Sequence, residues 1–154
     1  MSLAYDTINQ LTSATGPWGS ASMGYDAVGN ISTYNVGAST RSYSYSNNRL
    51  ATLITSSGNR SFAYDGYGNV TNDGLHQFQF DDSSNLVCVD CLAVSKIAYA
   101  YDGNNRRVSR TQNGVTTYYV HGSEGRLLLE YTPTGTTIEH VYLQGKRIAT
   151  KTLP

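Results

Sequence analysis

The chain has 154 residues, a length that fits one domain, and its 11 basic and 11 acidic side chains give a formal net charge of zero. Nucleic acid and anionic membrane surfaces require clustered positive potential, which this balance does not supply, so we predict no nucleic-acid partner. No apolar run approaches the roughly 18 residues of a membrane span. The amino-terminal segment 1–6 lacks the basic region and the following apolar region of a signal peptide. We therefore predict neither a membrane span nor a signal peptide.

The composition indicates an all-β fold. Only 14% of the residues are charged, whereas the chain contains 15 glycines and 13 tyrosines. Tyrosine and threonine favour strands, and glycine and asparagine favour tight turns. We therefore predict about 14 to 16 short strands, joined mostly in up-and-down order.

A short motif with an aromatic first residue, here called the leader, recurs along the chain. The first six leaders stand at positions 5, 25, 45, 64, 80 and 101, so the spacing is 20, 20, 19, 16 and 21 residues. Self-similarity at this period is typical of repeat proteins. Two less regular copies follow, the first of them with a longer turn. We predict a single domain over 1–154, built from tandem antiparallel β-hairpin repeats led by Tyr5, Tyr25, Tyr45, Tyr64, Phe80, Tyr101, Tyr119 and Tyr142.

Each motif predicts a hairpin corner. The aspartate after the leader can accept backbone N–H groups in an Asx-type turn. The glycine or asparagine four residues after the leader suits a position with positive φ, and an aliphatic residue such as Val70, or Val108 in the sixth copy, then starts the outgoing strand. The residues that we assign to this structural motif are Tyr25, Asp26, Gly29 and Asn30; Tyr64, Asp65, Gly68 and Asn69; and Tyr101, Asp102, Asn105 and Arg106.

Each incoming strand ends in an apolar or aromatic residue, one small or polar residue, and the leader. Tyr99-Ala100-Tyr101 is an example. Period-two alternation places both large residues on one face of the sheet, so neighbouring hairpins predict an aromatic stripe. Such a stripe suits packing or the lining of a shell, and it also suits stacking on sugar rings, because tyrosine combines apolar area with a polar tip.

The candidates for chemistry each have a simpler structural interpretation. The aspartates recur once per turn instead of converging, which favours turn capping over a Ca²⁺ or acid–base site. Cys88-Val89-Asp90-Cys91 interrupts the repeat, but it lacks the second ligand pair of a structural zinc site and the βαβ context of a thioredoxin-like redox motif, which favours loop cysteines or a local disulfide over a metal or redox site. His121 and His140 lie on strand-like segments, and no serine or cysteine occupies a nucleophile elbow. We predict no catalytic, metal or cofactor site and no enzyme activity.

The motif copies resemble the YD repeats of the Rhs (rearrangement hot spot) family, which occurs in bacterial polymorphic toxins, insecticidal toxin-complex C components and animal teneurins. The match is best at 25–31, 64–70 and 101–108, and the copies extend over nearly the whole chain. The resemblance implies a curved sheet that forms a section of a β-shell around toxin cargo. We expect the family's self-cleaving core segment to lie beyond Pro154, so that no aspartate here has its role.

The resemblance and the composition together predict a non-catalytic structural repeat module. The resemblance implies a secreted or cell-surface parent protein. A single sheet layer leaves two open edges and buries its aromatic face poorly, so we expect self-association through edges or faces, or a protein cargo. The alternative function is a carbohydrate-binding module that uses the tyrosine stripe, and a hydrolase is a third alternative without a visible convergent site.

Overall fold

A computed structural model describes residues 1–153, and these contain strands but no helix. This confirms the all-β class and the succession of antiparallel hairpins. The strands are β1 (Ser2–Tyr5), β2 (Leu11–Gly16), β3 (Gly19–Tyr25), β4 (Ile31–Val36), β5 (Ser39–Ser46), β6 (Arg49–Thr55), β7 (Gly58–Ser61), β8 (Ala63–Tyr64), β9 (Val70–Asn72), β10 (Phe78–Phe80), β11 (Leu86–Val89), β12 (Ile97–Tyr101), β13 (Arg107–Gln112), β14 (Val115–His121), β15 (Leu127–Tyr131), β16 (Thr137–Leu143) and β17 (Lys146–Leu153).

The chain divides into two compact units. The first comprises residues 1–65 and 72–75 and contains a seven-stranded sheet in the order β1 to β7. The second comprises residues 66–71 and the chain from His76 onward, and it contains an eight-stranded sheet in the order β10 to β17. Strand order follows chain order in both sheets, as short hairpin connections require. The single domain over 1–154 stays a prediction.

The described residues hold 17 strands, slightly more than the sequence indicated. One source of the difference is the segment before Tyr64, which we predicted as one incoming strand through Phe62. The structure divides it into β7 and β8, because Phe62 itself belongs to neither strand. Its backbone N–H instead donates to the carbonyl of Ala51 at 2.9 Å.

A β-bulge marks the leader of seven hairpins. In the first hairpin Ala4 pairs with Ser13, but Tyr5 pairs with Leu11, which leaves Thr12 as the extra residue on the outgoing strand. The same shift occurs at six further positions, namely Tyr25, Tyr45, Phe80, Tyr101, His121 and Tyr142. Bulges bend a strand and increase its right-handed twist, so a bulge in every repeat curves a sheet in one consistent sense.

Neither sheet encloses a hydrophobic core among residues 1–153. The one buried side chain there is His140, which is 8% exposed, and many large apolar side chains are more than half exposed. Each unit is therefore held by hydrogen-bonded ladders and by contacts along the faces of a single sheet. No helix in the part of the chain that the structure describes could span a membrane.

Candidate functional site

The hairpin corners are the site at which the predicted motif residues meet. In the second copy the Oδ1 atom of Asp26 accepts the backbone N–H groups of Val28 (3.0 Å) and Asn30 (2.9 Å). The N–H of Gly29 donates to the carbonyl of Asp26 at 3.1 Å, and the N–H of Asp26 donates to the carbonyl of Asn30 at 2.9 Å. This is a three-residue loop, a type I turn followed by a left-handed residue. The same carboxylate bonds form at Asp6, Asp81 and Asp102.

The backbone at these corners explains the choice of glycine or asparagine. The fourth residue after the leader has positive φ in the longer turns, with φ of 90° at Gly29, 95° at Gly68 and 59° at Asn105. The third copy has a two-residue loop instead, and both Asn47 and Asn48 have positive φ (50° and 58°). Two successive left-handed residues define a type I′ turn, whose twist matches that of the flanking strands.

Hydrogen bonds to the turn aspartates lower their pKa values. The side-chain amide of Asn30, together with backbone N–H groups, holds the pKa of Asp26 below its ordinary value of 3.8. The amide of Asn85 lowers the pKa of Asp81 in the same way, and the backbone N–H of Arg106 is the main cause for Asp102. Each carboxylate is therefore an acceptor that stabilises its turn while it is charged.

Acid is expected to weaken these turns. The unfolded aspartates protonate near 3.8 and the folded ones at lower pH, so below that value the unfolded state binds more protons and folding stability falls. The turn aspartates make their full contribution to folding stability at pH values above the pKa that they have in the unfolded chain. Urea unfolding midpoints at about pH 6 and about pH 3 measure the loss. Asp26→Asn should lower the midpoint at the higher pH and reduce the difference between the two, and an unchanged difference would contradict the assignment.

The leader tyrosines join each hairpin to the one before it. The hydroxyl of Tyr25 donates to the carbonyl of Leu11 at 2.9 Å, and that of Tyr45 donates to the carbonyl of Ile31 at 2.8 Å. Tyr64 and Tyr101 make the same bond at 2.9 Å to the carbonyls of Leu50 and Leu86. We call these four bonds, Tyr25–Leu11, Tyr45–Ile31, Tyr64–Leu50 and Tyr101–Leu86, the tyrosine clamps. Burial raises the pKa of Tyr45 and of Tyr101.

The clamps lie where the ladder between neighbouring repeats ends. The pairing of β2 with β3 ends at Ser13 and Ser22, two residues before the carbonyl of Leu11 is reached. A backbone carbonyl beyond the ladder needs another partner, and the tyrosine hydroxyl supplies it. From the sequence we expected the leaders to pack, to line a shell or to stack on sugar rings, and we did not predict this bond. The signal was available, because each clamp joins a leader to the residue that pairs with the previous leader, 14 or 15 residues earlier in the chain.

A second set of contacts joins successive corners. The side-chain amide of Asn30 donates to the side-chain oxygen of Asn48 at 2.7 Å, and that of Asn85 donates to Asn105 at 2.9 Å. In both pairs the residue after one turn's left-handed position bonds to the left-handed residue of the next turn. Asn69 does the same with Ser84 at 3.1 Å. These corner contacts and the tyrosine clamps make each hairpin depend on its neighbour.

A sequence profile of the teneurin YD-shell family matches residues 1–124. The chain belongs to the teneurin YD-shell family. This confirms the resemblance to YD-repeat proteins that the motif copies indicated.

Similar proteins of known activity are much longer than this YD-shell chain. The tRNA nuclease WapA of Bacillus subtilis (strain 168) is 31% identical over 132 residues, and so is the tRNA3(Ser)-specific nuclease WapA of Bacillus spizizenii. Each alignment covers 82% of this chain and 6% of the longer protein. Among solved structures, TcdB2-TccC3-Cdc42 and TcdB2-TccC3 without its hypervariable C-terminal region are 16% identical, with a TM-score of 0.47. They match 94% and 97% of this chain and 9% of their own.

Two register assignments of our sequence analysis need correction in this YD-shell chain. Tyr101 pairs with Arg107, so Arg107 and not Val108 follows the sixth turn, and Val108 is the extra residue of the bulge. His121 pairs with Leu127 across the bulge, so His121 and not Tyr119 has the position of the leader. The seventh turn therefore has the ordinary length, with its hydrogen bonds formed by the Gly122 backbone instead of by an aspartate. Large residues stand in succession at 118–121, so the sequence pattern did not show which of them has the position of the leader.

Arg107 lies between two aromatic rings. Its guanidinium carbon is 4.7 Å from the ring centre of Tyr119 and 5.5 Å from that of Tyr99. The cation therefore connects side chains of three neighbouring strands, β12, β13 and β14.

Replacing this cation should destabilise the second unit. Arg107→Gln removes both cation–π contacts, and we expect the free energy of unfolding to fall by about 1 kcal/mol. Arg147 is the matched control, because it pairs with the leader Tyr142 in the same way and has no such aromatic contact among the described residues. Arg147→Gln should change stability by less than about 0.5 kcal/mol. Equal effects in urea unfolding would contradict the role of the rings.

The copy led by Tyr64 lies at the division between the two units, so each side is described by itself. In the first unit the guanidinium of Arg49 lies 5.5 Å from the ring centre of Tyr64 and its Nη1 atom is 3.5 Å from the carbonyl oxygen of Asp65. In the second unit Gly68 has its left-handed backbone and Asn69 contacts the next corner.

The described residues contain no group of three or more His, Cys, Asp or Glu side chains that could hold a metal ion. Cys88 and Cys91 form a disulfide, which was one of the alternatives for this pair. His140 has Glu130 on one side, at 2.9 Å from its Nε2 atom, and Thr150 on the other, at 3.4 Å from its Nδ1 atom. A depression of about 460 Å³ in the first unit is open to solvent and is lined by Ser46, Asn47, Arg49, Leu50, Ala51, Phe62, Ala63 and Tyr64.

Proposed function

We propose that this chain is a non-catalytic wall section of a YD shell that encloses a protein cargo. The observation that carries the proposal is the repetition of one joint, made of a bulge, an aspartate-capped turn and, in four copies, a tyrosine clamp. Each joint adds one hairpin to the previous one with the same register, so the pattern extends a curved sheet without a fixed end. Membership of the YD-shell family supports the same function.

The proposal assigns no chemical step to this chain. The carboxylates that the motif repeats are acceptors for turn N–H groups, as at Asp26 and Asp102. The names of the WapA relatives describe tRNA nucleases, and this chain spans 6% of their length. We place nuclease activity in other parts of such proteins.

A direct assay tests the absence of catalysis. Purified chain incubated with total tRNA should leave every band intact over the range of divalent cations and pH that the protein tolerates. Cleavage that disappears in Asp102→Asn would overturn the proposal, since it would give a motif aspartate a catalytic role. Asn113→Ala, in the two-residue β13–β14 turn away from the capped corners, is the control for a contaminating nuclease.

Cargo enclosure is tested by the gene itself. Sequence on both sides of this segment should encode further YD repeats and, downstream, an Rhs core followed by a toxin domain. A gene that encodes these 154 residues alone would remove the cargo from the proposal, because a few hairpins do not surround a folded protein.

The open sheet edges supply the surface through which a wall section extends. Strand β17 has eight residues, seven of them exposed, and among residues 1–153 it pairs only with β16. An edge of this length presents a row of backbone N–H and C=O groups that can pair with another strand. The isolated chain should therefore self-associate through such edges, with copies in the place of further repeats.

Two adjacent proline variants test edge pairing. Successive N–H groups of a strand point to opposite sides, so of Lys151→Pro and Thr152→Pro one removes an outward N–H and the other removes a bond to β16. Sedimentation velocity should show an average mass that rises with concentration in the parent chain. This mass should be lower in the variant that loses the outward N–H group. The variant that loses a bond to β16 should instead be less stable. A parent chain that stays monomeric at every concentration tested would overturn edge pairing.

A second candidate function is carbohydrate binding, and one specific pair favours it. Tyr118 and Tyr131 are directly opposite on β14 and β15, with ring centres 6.5 Å apart and planes inclined by 25°. Both are nearly half exposed (47% and 44%), so they form a platform on which a sugar ring could stack. The clamped leaders suit this role less well, since four of their hydroxyls bond to backbone carbonyls.

Titration with soluble β-linked oligosaccharides tests this second function. Cellohexaose and chitohexaose should quench tyrosine fluorescence, and Tyr118→Ala should abolish the change while Tyr118→Phe keeps it. Tyr34→Ala on the first sheet is the matched control. Absence of binding to both sugars would overturn the candidate function and leave the shell proposal unaffected.

A further inference from the structure

The connection between β11 and β12 is the longest in the second sheet and departs from the repeat. It comprises residues 90–96, seven residues, where the other hairpins of that sheet use two or five. The strands on either side of it share only two residue pairs, Cys88 with Ala98 and Val89 with Ile97. A disulfide between Cys88 and Cys91 closes the start of this connection. The shell function described above has no use for this arrangement.

Asp90, between the two cysteines, anchors the connection to the segment before β10. Its carboxylate accepts the backbone N–H of Gln77 at 2.9 Å and lies 2.6 Å from the Nδ1 atom of His76. Its own N–H donates to the carbonyl of Gln77 at 2.8 Å, and its carbonyl accepts the N–H of Ala93 at 2.8 Å. Asp90 has φ of 50°, a left-handed backbone that the short disulfide ring encloses.

The rest of the connection contributes almost no burial. Leu92 and Val94 are 97% and 101% exposed, more than any other large apolar side chain of residues 1–153. Within the connection, the Ala93 N–H donates to the carbonyl of Asp90, and the Lys96 N–H donates to the carbonyl of Ala93 at 3.2 Å. Packing therefore does not hold the tip, and its position depends on the disulfide and on the bonds of Asp90.

We infer that the Cys88–Cys91 disulfide is a reversible redox clasp that fixes the 90–96 connection and the apolar tip of Leu92 and Val94. A dithiol is the reductant. One of its thiolates attacks one cysteine sulfur, the S–S bond breaks and the other cysteine leaves as a thiolate. The second thiolate of the reductant then attacks the reductant sulfur of this mixed disulfide, which forms the reductant's own disulfide and releases the remaining cysteine as a thiolate. Cys88 and Cys91 end as two thiols, the reductant ends as a disulfide, and two electrons and two protons have moved to the protein.

The two states differ in how the tip is held. With the disulfide formed, Asp90 remains against Gln77 and the tip projects from a fixed base. When the disulfide is broken, Asp90 and Gln77 are held together only by hydrogen bonds that are open to water. Segments held in this way unfold locally at a small cost in free energy. Both cysteines are partly exposed, so a small dithiol can reach the bond.

Hydrogen exchange and proteolysis of the whole chain test the clasp. Alkylation of the unfolded protein should count no free thiols before treatment with dithiothreitol and two afterwards. Amide exchange in residues 90–96, and tryptic cleavage after Lys96, should then become about tenfold faster, the order expected when a ring of four residues is opened. Oxidation with a disulfide reagent should restore the slow rates. The turn at Asn113 and Gly114 is the internal control and should not change.

Variants separate the clasp from other effects of the reductant. Cys88→Ser with Cys91→Ser should show the fast rates with and without dithiothreitol, and if this variant fails to fold, the reduced parent chain provides the same comparison. Equal rates in the oxidised and reduced parent chain would overturn the inference. Two free thiols before reduction in air-equilibrated buffer, or failure of oxidation to restore slow exchange, would also overturn it.

Discussion

Replacing Tyr101 by alanine is expected to lower the free energy of unfolding of the second unit by about 3 kcal/mol, and replacing it by phenylalanine by about 1 kcal/mol. Phenylalanine keeps the ring and removes only the hydroxyl that donates to the carbonyl of Leu86 at 2.9 Å. Alanine also removes the apolar area of the ring between neighbouring hairpins. The difference between the two variants therefore separates the clamp bond from the packing of the leader.

The matched control is Tyr118→Phe. The Tyr118 ring is also on the second sheet, but its hydroxyl has no hydrogen-bond partner in the described structure, and the side chain is 47% exposed. Its removal should change stability by less than about 0.5 kcal/mol. Urea unfolding followed by circular dichroism, with hydrogen exchange of β11 to β13, gives both values. Equal losses in Tyr101→Phe and Tyr118→Phe would show that the clamps do not stabilise the sheet.

Gly74→Ala should lower the stability of the first unit by about 3 kcal/mol, because two penalties coincide there. Gly74 has φ of 84°, a left-handed backbone. A methyl group at this position would also lie 2.8 Å from the Cβ and 2.9 Å from the Cα of Arg60, so the backbone of β7 or of segment 72–75 has to move.

Gly114→Ala isolates the backbone penalty. Gly114 has a similar φ of 77° but nothing within 4 Å of the added methyl group, so its replacement should cost only about 1 kcal/mol. Hydrogen exchange of Gly58–Ser61 should accelerate in Gly74→Ala and stay unchanged in Gly114→Ala. The predicted clash with β7 would be contradicted if both substitutions lowered the overall stability equally and neither changed hydrogen exchange in Gly58–Ser61.

The fold was largely predictable because its information is local. An aspartate followed three residues later by glycine or asparagine determines a turn within five residues, and Asn113-Gly114 determines the two-residue loop between β13 and β14. The repetition of these signals was enough to predict hairpins in chain order. Resemblance to the YD-repeat family was visible for the same reason.

The joints between repeats were not predictable from the same signals. A clamp connects Tyr101 to Leu86 across two strands, and its geometry depends on where the ladder between those strands ends. The bulges shift each outgoing strand by one residue, so Arg107 has the position that we predicted for Val108. The leader of the seventh copy is two residues further along the chain than predicted, at His121. Periodicity identifies faces of a strand, but it does not identify the residue at which pairing stops.

The leader Phe80 marks a repeat without a clamp. Phenylalanine has no hydroxyl, so the corner at Asp81 keeps its turn bonds while the leader donates nothing to the preceding repeat. His121, in the leader position of the seventh copy, has a buried Nδ1 atom without a hydrogen-bond partner. Repeats therefore differ in how firmly they are joined, although their turns look alike.

The acceptor of every clamp is a main-chain carbonyl, and this frees the side chain of the accepting residue from any part in the bond. Leucine and isoleucine both occur among the accepting residues, at Leu11 and Ile31 for example. Copies can thus diverge there and keep one joint, provided that the strand and its bulge persist. A scaffold of this kind can present different side chains at every repeat while the joint between hairpins stays the same. The chemistry of the wall can therefore vary independently of its architecture.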